Sequence, residues 1–355
     1  MSKSSNSLPQ LGWSHFFQQQ LSLEEWESTF PARVLAVYRN SIDIASVHGP
    51  QQISLPGIWH LREPEELPTV GDWLLVDSAT GQLQKMLERK SLFQRRAAGK
   101  DARLQLIAAN VDTLFIITSC NQDFNLSRLE RYLALALEAE VDPVLVLTKA
   151  DLSDHVSGYR QQAESINPNW AIETVNALEP SSVEVLRSWC GVGQTIALVG
   201  SSGVGKSTLI NTLCGAEAQK TNAIREDDAR GRHTTTSRSL HLLPGGGLLI
   251  DNPGMRELQL SECASGVSEL FEEIEALATS CRYNDCRHQS EDGCAVKSAL
   301  ERGDIDPRRF SNYQKLKAEQ ERNAETIAER RRREKTFGKL CKSASAILHK
   351  ERGGA

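Results

Sequence analysis

Gly200-Ser-Ser-Gly-Val-Gly-Lys-Ser-Thr208 is the stretch that decides the fold. It matches Gly-x4-Gly-Lys-Ser/Thr, and its flanks have the required character: an apolar strand, Thr195–Val199, before it and a helical run, Thr208–Leu213, after it. The glycines at Gly200, Gly203 and Gly205 let the backbone wrap a phosphate with no Cβ in the way. Main-chain N–H groups along Gly200, Ser201, Ser202, Gly203, Val204 and Gly205 face the negative charge, and the N-terminus of the following helix adds its positive end. Lys206 is expected to reach the β and γ phosphates, Ser207 to ligate magnesium and Thr208 to open the helix.

A phosphate loop does not choose a base, so the next signal is sought at the strand ends around it. Upstream, the buried strand Pro143–Leu147 runs into Thr148-Lys149-Ala150-Asp151. In the guanine-reading form Asn-Lys-x-Asp, the Asp carboxylate accepts from both N1–H and N2–H of guanine, a donor pair that adenine lacks. Asp151 supplies that carboxylate, the Lys149 stem lies along the ring, and Thr148 stands in the Asn position, which removes an amide contact to the base and part of the bridge to the phosphate loop. Val175-Asn176-Ala177 follows the next strand, Ile172–Val175, where guanine sites commonly have Ser-Ala, and the Ala177 N–H is expected at the guanine carbonyl. Downstream, Leu248-Leu-Ile-Asp251-Asn-Pro-Gly254 places Asp-x-x-Gly at a strand end: Asp251 holds magnesium through water and the Gly254 N–H senses the γ-phosphate. Between them, Gly231-Arg-His233-Thr234-Thr235-Thr236 reads as a switch, with Thr235 completing the magnesium shell.

The order is therefore base motif, second base loop, phosphate loop, switch, Asp-x-x-Gly. Ordinary GTPases begin with the phosphate loop. The same sheet is obtained by joining their termini and cutting ahead of the base-recognition strands, which leaves the segment after Asp-x-x-Gly leading into the C-terminal part of the chain. Alternating strands and helices, with strands at Val111–Ser119, Pro143–Leu147, Ile172–Val175, Thr195–Val199 and Leu248–Ile250, predict a doubly wound α/β domain over about 104–258.

Outward from this domain the text changes. Residues 1–29 read as a weakly structured leader with one short helix near Leu21–Trp26. Residues 30–95 hold short β runs (Arg33–Tyr38, Ser41–Ala45, Gln52–Leu55, Asp72–Val76) separated by Gly49-Pro50, Pro56-Gly57 and Thr80-Gly81, which predicts a small OB-like or SH3-like barrel. Arg89, Lys90, Arg95, Arg96, Lys100 and Arg103 form a basic connector, suited either to phosphates or to solvent. Residues 259–355 are predicted helical over Val267–Ala278, Ala295–Arg302 and Pro307–Lys350.

That last domain contains Cys281-x4-Cys286-x-His288-x5-Cys294. Three thiolates and an imidazole within fourteen residues suit one tetrahedral zinc with no open position, hence a structural ion. The other cysteines, Cys120, Cys190, Cys214, Cys263 and Cys341, are scattered singly, so the pattern is a metal site and not a disulfide framework. No apolar run reaches the roughly 20 residues of a membrane helix, and the N-terminus has neither an apolar signal core nor an Arg-rich transit pattern. A cytoplasmic chain with no membrane partner is expected. Its net charge of −5 is uneven: 315–352 carries twelve Lys/Arg against six Glu, +6, leaving −11 for the rest. A basic tail with Arg330-Arg-Arg-Arg333 on an acidic body predicts contact with a polyanion.

Taken together, the permuted order, Gly200–Thr208, Gly231–Thr236, Asp251–Gly254 and the Cys281–Cys294 cluster resemble the bacterial small-ribosomal-subunit biogenesis GTPases called RsgA (YjeQ/YloQ), over about Arg33 to Lys350. The resemblance implies an N-terminal OB barrel, a circularly permuted GTPase centre and a C-terminal zinc domain. It further implies late maturation of the small ribosomal subunit, contact with its rRNA, and hydrolysis of GTP to GDP stimulated by the subunit; a monomer is expected. Met255 stands where Ras-like enzymes carry the glutamine that orients the attacking water, so the isolated chain is expected to be slow. His233 is the candidate to supply that group, beside Lys206 and Thr235. Two other readings fit the same motifs: a nucleotide-gated RNA-binding assembly factor with little or no hydrolysis, and a P-loop ATPase or nucleotide kinase.

Overall fold

The computed structural model describes residues 7–96, 104–215, 239–251 and 263–322, and the chain divides into two compact units, Met1–Gln259 and Leu260–Ala355. In the first, β1 (Thr29–Val37), β2 (Ser41–Ser46), β3 (Gly49–Ser54), β4 (Trp73–Asp77) and β5 (Leu83–Met86) form an antiparallel sheet in the order β3-β2-β1-β4-β5. Alternate residues of these strands, among them Ala32, Val34, Ile42, Ile44, Leu74 and Val76, close one core with Trp59.

Strand β4 is apolar on both faces, and that explains a difference from expectation. Trp73 and Leu75 point away from the barrel core and need cover of their own, which Leu11 and Phe17 provide together with Ala45 and Leu87. From residue 7 onward the leader is therefore packed, not weakly structured. A 3-10 turn, Pro9–Leu11, leads to helices α1 (His15–Gln18) and α2 (Leu23–Ser28), and Trp13 stands edge-on to Trp73 at 4.8 Å. Ser22 and Glu25 start α2 with reciprocal side-chain-to-backbone bonds of 3.1 and 2.8 Å, satisfying two N–H groups at the helix start.

The basic connector is also structural where it is described. Arg89 grips the fully buried Asp72 with both arms, at 2.8 and 2.9 Å, and Lys90 pairs with Asp112 at 2.8 Å. Arg95 bonds Gln105 across the ribbon of β6 (Leu92–Arg96) and β7 (Leu104–Ala109); Lys100 and Arg103 lie outside the described residues.

The second sheet of this unit contains β8 (Thr113–Ser119), β9 (Asp142–Thr148), β10 (Ala171–Thr174), β11 (Thr195–Gly200), β12 (Ser239–Leu242) and β13 (Leu248–Asp251), in the order β10-β9-β8-β11-β13-β12. All pairings are parallel except β12 with β13. Successive strands step outward from β8 to β10, and the chain then returns to the other side of β8 to lay down β11. Neighbouring crossovers diverge at that point, which opens a crevice at the carboxyl ends of β8 and β11. Helices α3 (Leu126–Glu138), α4 (Val156–Glu164), α5 (Pro180–Val183) and α6 (206–215) accompany the sheet, and α5 and α6 bring Val183, Leu209 and Leu213 to a core that includes Phe115, Val144, Val146, Ile196 and Leu198.

In the second unit, α7 (Ala264–Leu270) and α8 (Glu272–Ala278) replace the single helix expected over 267–278. The break is at Phe271, whose backbone leaves the helical region at φ −115°, ψ 34° and whose ring is fully buried 5.5 Å from that of Tyr313. Helices α9 (Ala295–Arg302) and α10 (307–322, the part of the last predicted helix that is described) finish this core through Val296, Ala299, Phe310 and Leu316. No helix among the described residues is long and apolar enough to cross a membrane.

Candidate functional site

Strand β11 ends at Gly200, and the phosphate loop turns there because nothing larger fits. At φ 150°, a Cβ on Gly200 would lie 2.3 Å from the Ile117 carbonyl oxygen of β8. Gly203 and Gly205 adopt φ values of 79° and 97°, in the left-handed region where a side chain is costly. Val204 is buried beneath the loop, whereas Ser202, Gly203 and Ser207 are exposed around its mouth. Lys206 opens α6 and is itself buried; its ammonium donates to the Gly200 carbonyl at 2.6 Å and to that of Ser201. The lysine thus closes the loop upon itself, so reaching a phosphate requires it to exchange these carbonyls for the anion.

The base motif stands at the end of β9, two strands away. Lys149 has φ 56°, a conformation that ends the strand abruptly and starts the 3-10 turn Ala150–Leu152 with Asp151 exposed on it. Thr148 is wholly buried, and its hydroxyl donates to the Val204 carbonyl at 2.6 Å, with the Thr118 carbonyl 3.1 Å away. This corrects an expectation. Replacing Asn by Thr was expected to weaken the bridge to the phosphate loop, yet the threonine makes a bridge of its own by a shorter route.

The second base loop is tied to the same framework. Thr212 on α6 donates to the Ala177 carbonyl at 2.7 Å, while the Asn176 carboxamide oxygen accepts the Leu178 N–H at 3.0 Å and fixes the turn. Thus Thr148 is tied to the loop 200–208, and Ala177 to the helix that follows it, by hydrogen bonds spanning 56 and 35 positions in sequence. Sequence reasoning missed Thr212, whose only signal is its place one helical turn after Thr208. Leu152 and Leu178, each beside a base motif, are both 76% exposed.

Asp251 ends β13 and is half-buried. It lies on the strand that pairs in parallel with β11, and its charge acts on Cys214 of α6, whose thiol is raised first by burial and then by this carboxylate. Gly231, His233, Thr234, Thr235, Thr236, Gly254 and Met255 lie outside the described residues.

In the second unit, Cys281, Cys286, His288 and Cys294 bring four ligand atoms within 4.8 Å of one another. The Sγ atoms of Cys281 and Cys294 are 3.8 Å apart, and His288 Nδ1 lies 3.6 and 3.4 Å from them. Zinc bonds of about 2.3 Å to sulfur and 2.0–2.1 Å to nitrogen demand tetrahedral edges of about 3.6–3.8 Å, so both donor set and spacing fit that ion. Burial holds the imidazole of His288 below its ordinary pKa, in the neutral form a metal needs. The hairpin between the ligands is organised by Glu291, whose carboxylate accepts from the N–H groups of Arg287, Gln289 and Ser290 at 2.8, 2.8 and 3.0 Å and is held at about 2 by those bonds. Cys294 also starts α9, its sulfur accepting the Lys297 N–H at 3.4 Å.

Comparison with known proteins places these features together. A family profile described as RsgA GTPase matches residues 86–261. A protein of Vibrio parahaemolyticus called small ribosomal subunit biogenesis GTPase RsgA 2 is 53% identical over 348 residues, covering 98% of this chain and 95% of that protein. One from Mesorhizobium japonicum, called small ribosomal subunit biogenesis GTPase RsgA, is 48% identical over 90% of this chain and 92% of its own length. Among solved structures, YjeQ from Thermotoga maritima aligns with a TM-score of 0.60 at 24% identity, covering 82% of this chain and 98% of its own. YloQ, described as a circularly permuted GTPase, aligns at 0.56 and 20%, covering 82% and 95%.

Proposed function

This chain belongs to the RsgA GTPase family, and from that premise we propose that it binds GTP in the crevice between β8 and β11, hydrolyses it to GDP and phosphate, and acts in late maturation of the small ribosomal subunit, which stimulates the turnover. The observation that carries the nucleotide site is the pair of bonds from Thr148 to Val204 and from Thr212 to Ala177, which join one base motif to the phosphate loop and the other to the helix that follows it. Base and phosphate recognition are then parts of one framework, as a guanine nucleotide requires.

Within it, Asp151 reads the guanine edge, Lys149 and the Ala177 N–H support the ring, and the N–H groups of 200–208 cradle the phosphates. Lys206 leaves the Gly200 and Ser201 carbonyls to reach the β and γ oxygens. Ser207 and Asp251, with Thr235 and Gly254 of the switch and Asp-x-x-Gly motifs, would hold magnesium and the γ-phosphate; the ion would supply charge neutralisation to the transferring group. His233 would position the attacking water in place of a glutamine. One zinc ion on Cys281, Cys286, His288 and Cys294 would hold the second unit's hairpin as a structural cross-link. The basic residues 315–352 are the surface for rRNA, and the protein works as a cytoplasmic monomer away from membranes.

The test is GTP turnover with and without purified small ribosomal subunits, with ATP as control. Stimulation of GTP hydrolysis alone is expected, and tight GTP binding without turnover in either condition would favour the nucleotide-gated assembly factor. Asp151→Asn should move the preference from guanine towards xanthine nucleotides, because an amide presents a donor where N1–H and N2–H need an acceptor. His233→Ala should lower stimulated turnover and leave nucleotide affinity in place.

A further inference from the structure

The loop between β8 and α3 carries none of the nucleotide motifs, yet it is built to aim one side chain at the phosphate loop. Asn121 accepts from the Ser119 hydroxyl at 2.8 Å and from the Asp123 N–H at 2.9 Å, and Asn125 caps α3 by accepting the Arg128 N–H at 3.0 Å. Arg128 occupies the first turn of α3. Its Nη1 donates to Asp123 Oδ1 at 2.9 Å and to the hydroxyl of Ser201, the second residue of the phosphate loop. The arginine thus has its own carboxylate partner and spends its remaining reach on a loop 73 positions away in sequence.

We infer that Arg128 is a positioning residue for the phosphate loop, holding Ser201 against the start of α3 so that the loop keeps its nucleotide-accepting curvature. The inference rests on the reading of loop 200–208 as the GTP site. Its force comes from what happens to Lys206. The lysine bonds the Gly200 and Ser201 carbonyls and holds the loop from inside. When it turns to a phosphate, those bonds are lost. The loop then still has side-chain ties from outside, with Thr148 on the Val204 carbonyl at one flank and Arg128 on the Ser201 hydroxyl at the other. A loop rich in glycine and held on one flank only must be ordered by the ligand, and that cost appears as lost affinity. Because the tie acts on the loop and not on the γ-phosphate, GTP and GDP should feel it equally.

The experiment is calorimetric titration of the full chain with GTP and with GDP, for the parent and for Arg128→Ala, Arg128→Lys, Ser201→Ala and the double variant Arg128→Ala/Ser201→Ala. Arg128→Ala should weaken both nucleotides by about tenfold, the scale of one hydrogen bond to a charged group, with the GTP-to-GDP ratio unchanged. Arg128→Lys should recover part of the loss. Ser201→Ala should reproduce it with the arginine still present, and the double variant should be little worse than either single one. Unchanged affinity in a folded Arg128→Ala chain would overturn the inference, as would a shifted GTP-to-GDP ratio or full additivity in the double variant. If Arg128→Ala melts prematurely, Ser201→Ala decides by itself, since it removes one half-buried hydroxyl and no charge. A parent chain that binds neither nucleotide would instead sink the GTP site from which the inference starts.

Discussion

Thr148 is buried to zero exposure at the end of β9, and the Val204 carbonyl beneath the phosphate loop relies on its hydroxyl. Thr148→Val keeps the shape and removes the donor, leaving a buried acceptor at a cost of about 1–3 kcal/mol. We expect GTP and GDP affinity to fall together by about tenfold, Thr148→Ser to restore most of it, and guanine preference to persist because Asp151 is untouched. Parent-like affinity for the valine variant, measured by titration, would mean that the bridge is idle. Residue types in this site were legible in the sequence: the glycines, Lys206, Asp151 and the four zinc ligands each stand in a spacing that their chemistry dictates. Partners were not. A threonine in an asparagine position reads as a loss, because a sequence does not say that a carbonyl 56 positions later lies 2.6 Å from its hydroxyl. The same blindness hid Thr212 and Arg128, whose partners are equally remote.

At the scale of elements, buried parallel strands announce themselves as continuous apolar runs, and β8, β9 and β11 fall within a residue or two of the predicted spans. Helix continuity is harder to read, since the break at Phe271 comes from burying a ring and leaves no proline or glycine to mark it. The hairpin 286–294 is the opposite case: too short for a core, it is held by four ligands and by Glu291. Glu291→Ala leaves every ligand in place and frees the N–H groups of Arg287, Gln289 and Ser290. Removing partners that orient a metal's ligands typically costs about 10–100-fold in affinity. Zinc loss from the variant to a chelator, followed with a colorimetric zinc indicator, should therefore be at least about tenfold faster than from the parent. Equal rates would mean that the ligands alone shape the loop. The bonds to Glu291 also have a pH signature. With the carboxyl held at about 2 against an ordinary 4.5, their contribution is full above 4.5 and fades as pH falls towards 2. Glu291→Gln should flatten that part of the acid-stability profile of the second unit.

For the first unit as a whole, the segment before the barrel matters most, because it touches two parts of the structure at once. Leu11 and Phe17 cover Trp73 and Leu75 on the outer face of β4. The Leu11 carbonyl accepts from Arg33 at 3.0 Å, and the same guanidinium donates to the Asn110 carbonyl and to the Thr195 hydroxyl at the foot of β11. Burial lowers the Arg33 pKa to about 10, opposed by Asp112 and Asp72, so it remains a cation at neutral pH and keeps all three bonds. The Pro9–Gly12 turn also lies directly on Gly193, two residues before β11: a Cβ there would come within 2.3 Å of the Pro9 carbonyl. The leader thus fastens the barrel to the strand that delivers the phosphate loop. The sequence disguised this, since the strand that needs the cover of these apolar residues lies about sixty positions away. Burying Leu11 and Phe17 contributes roughly 3–6 kcal/mol at about 1.5–3 per large apolar side chain. A chain beginning at Leu21 should consequently melt on the order of 10 °C lower, at about 2–4 °C per kcal/mol for a unit of this size. Gly193→Ala should shift the melt in the same direction with the leader still present, because its φ of 76° and the Pro9 carbonyl both oppose a side chain. Thermal unfolding followed by circular dichroism reads both variants. If the shortened chain melts like the parent while Gly193→Ala does not, the leader is a solvated tail and the strain at Gly193 is local; if both fall together, the leader is part of the frame that carries the nucleotide site.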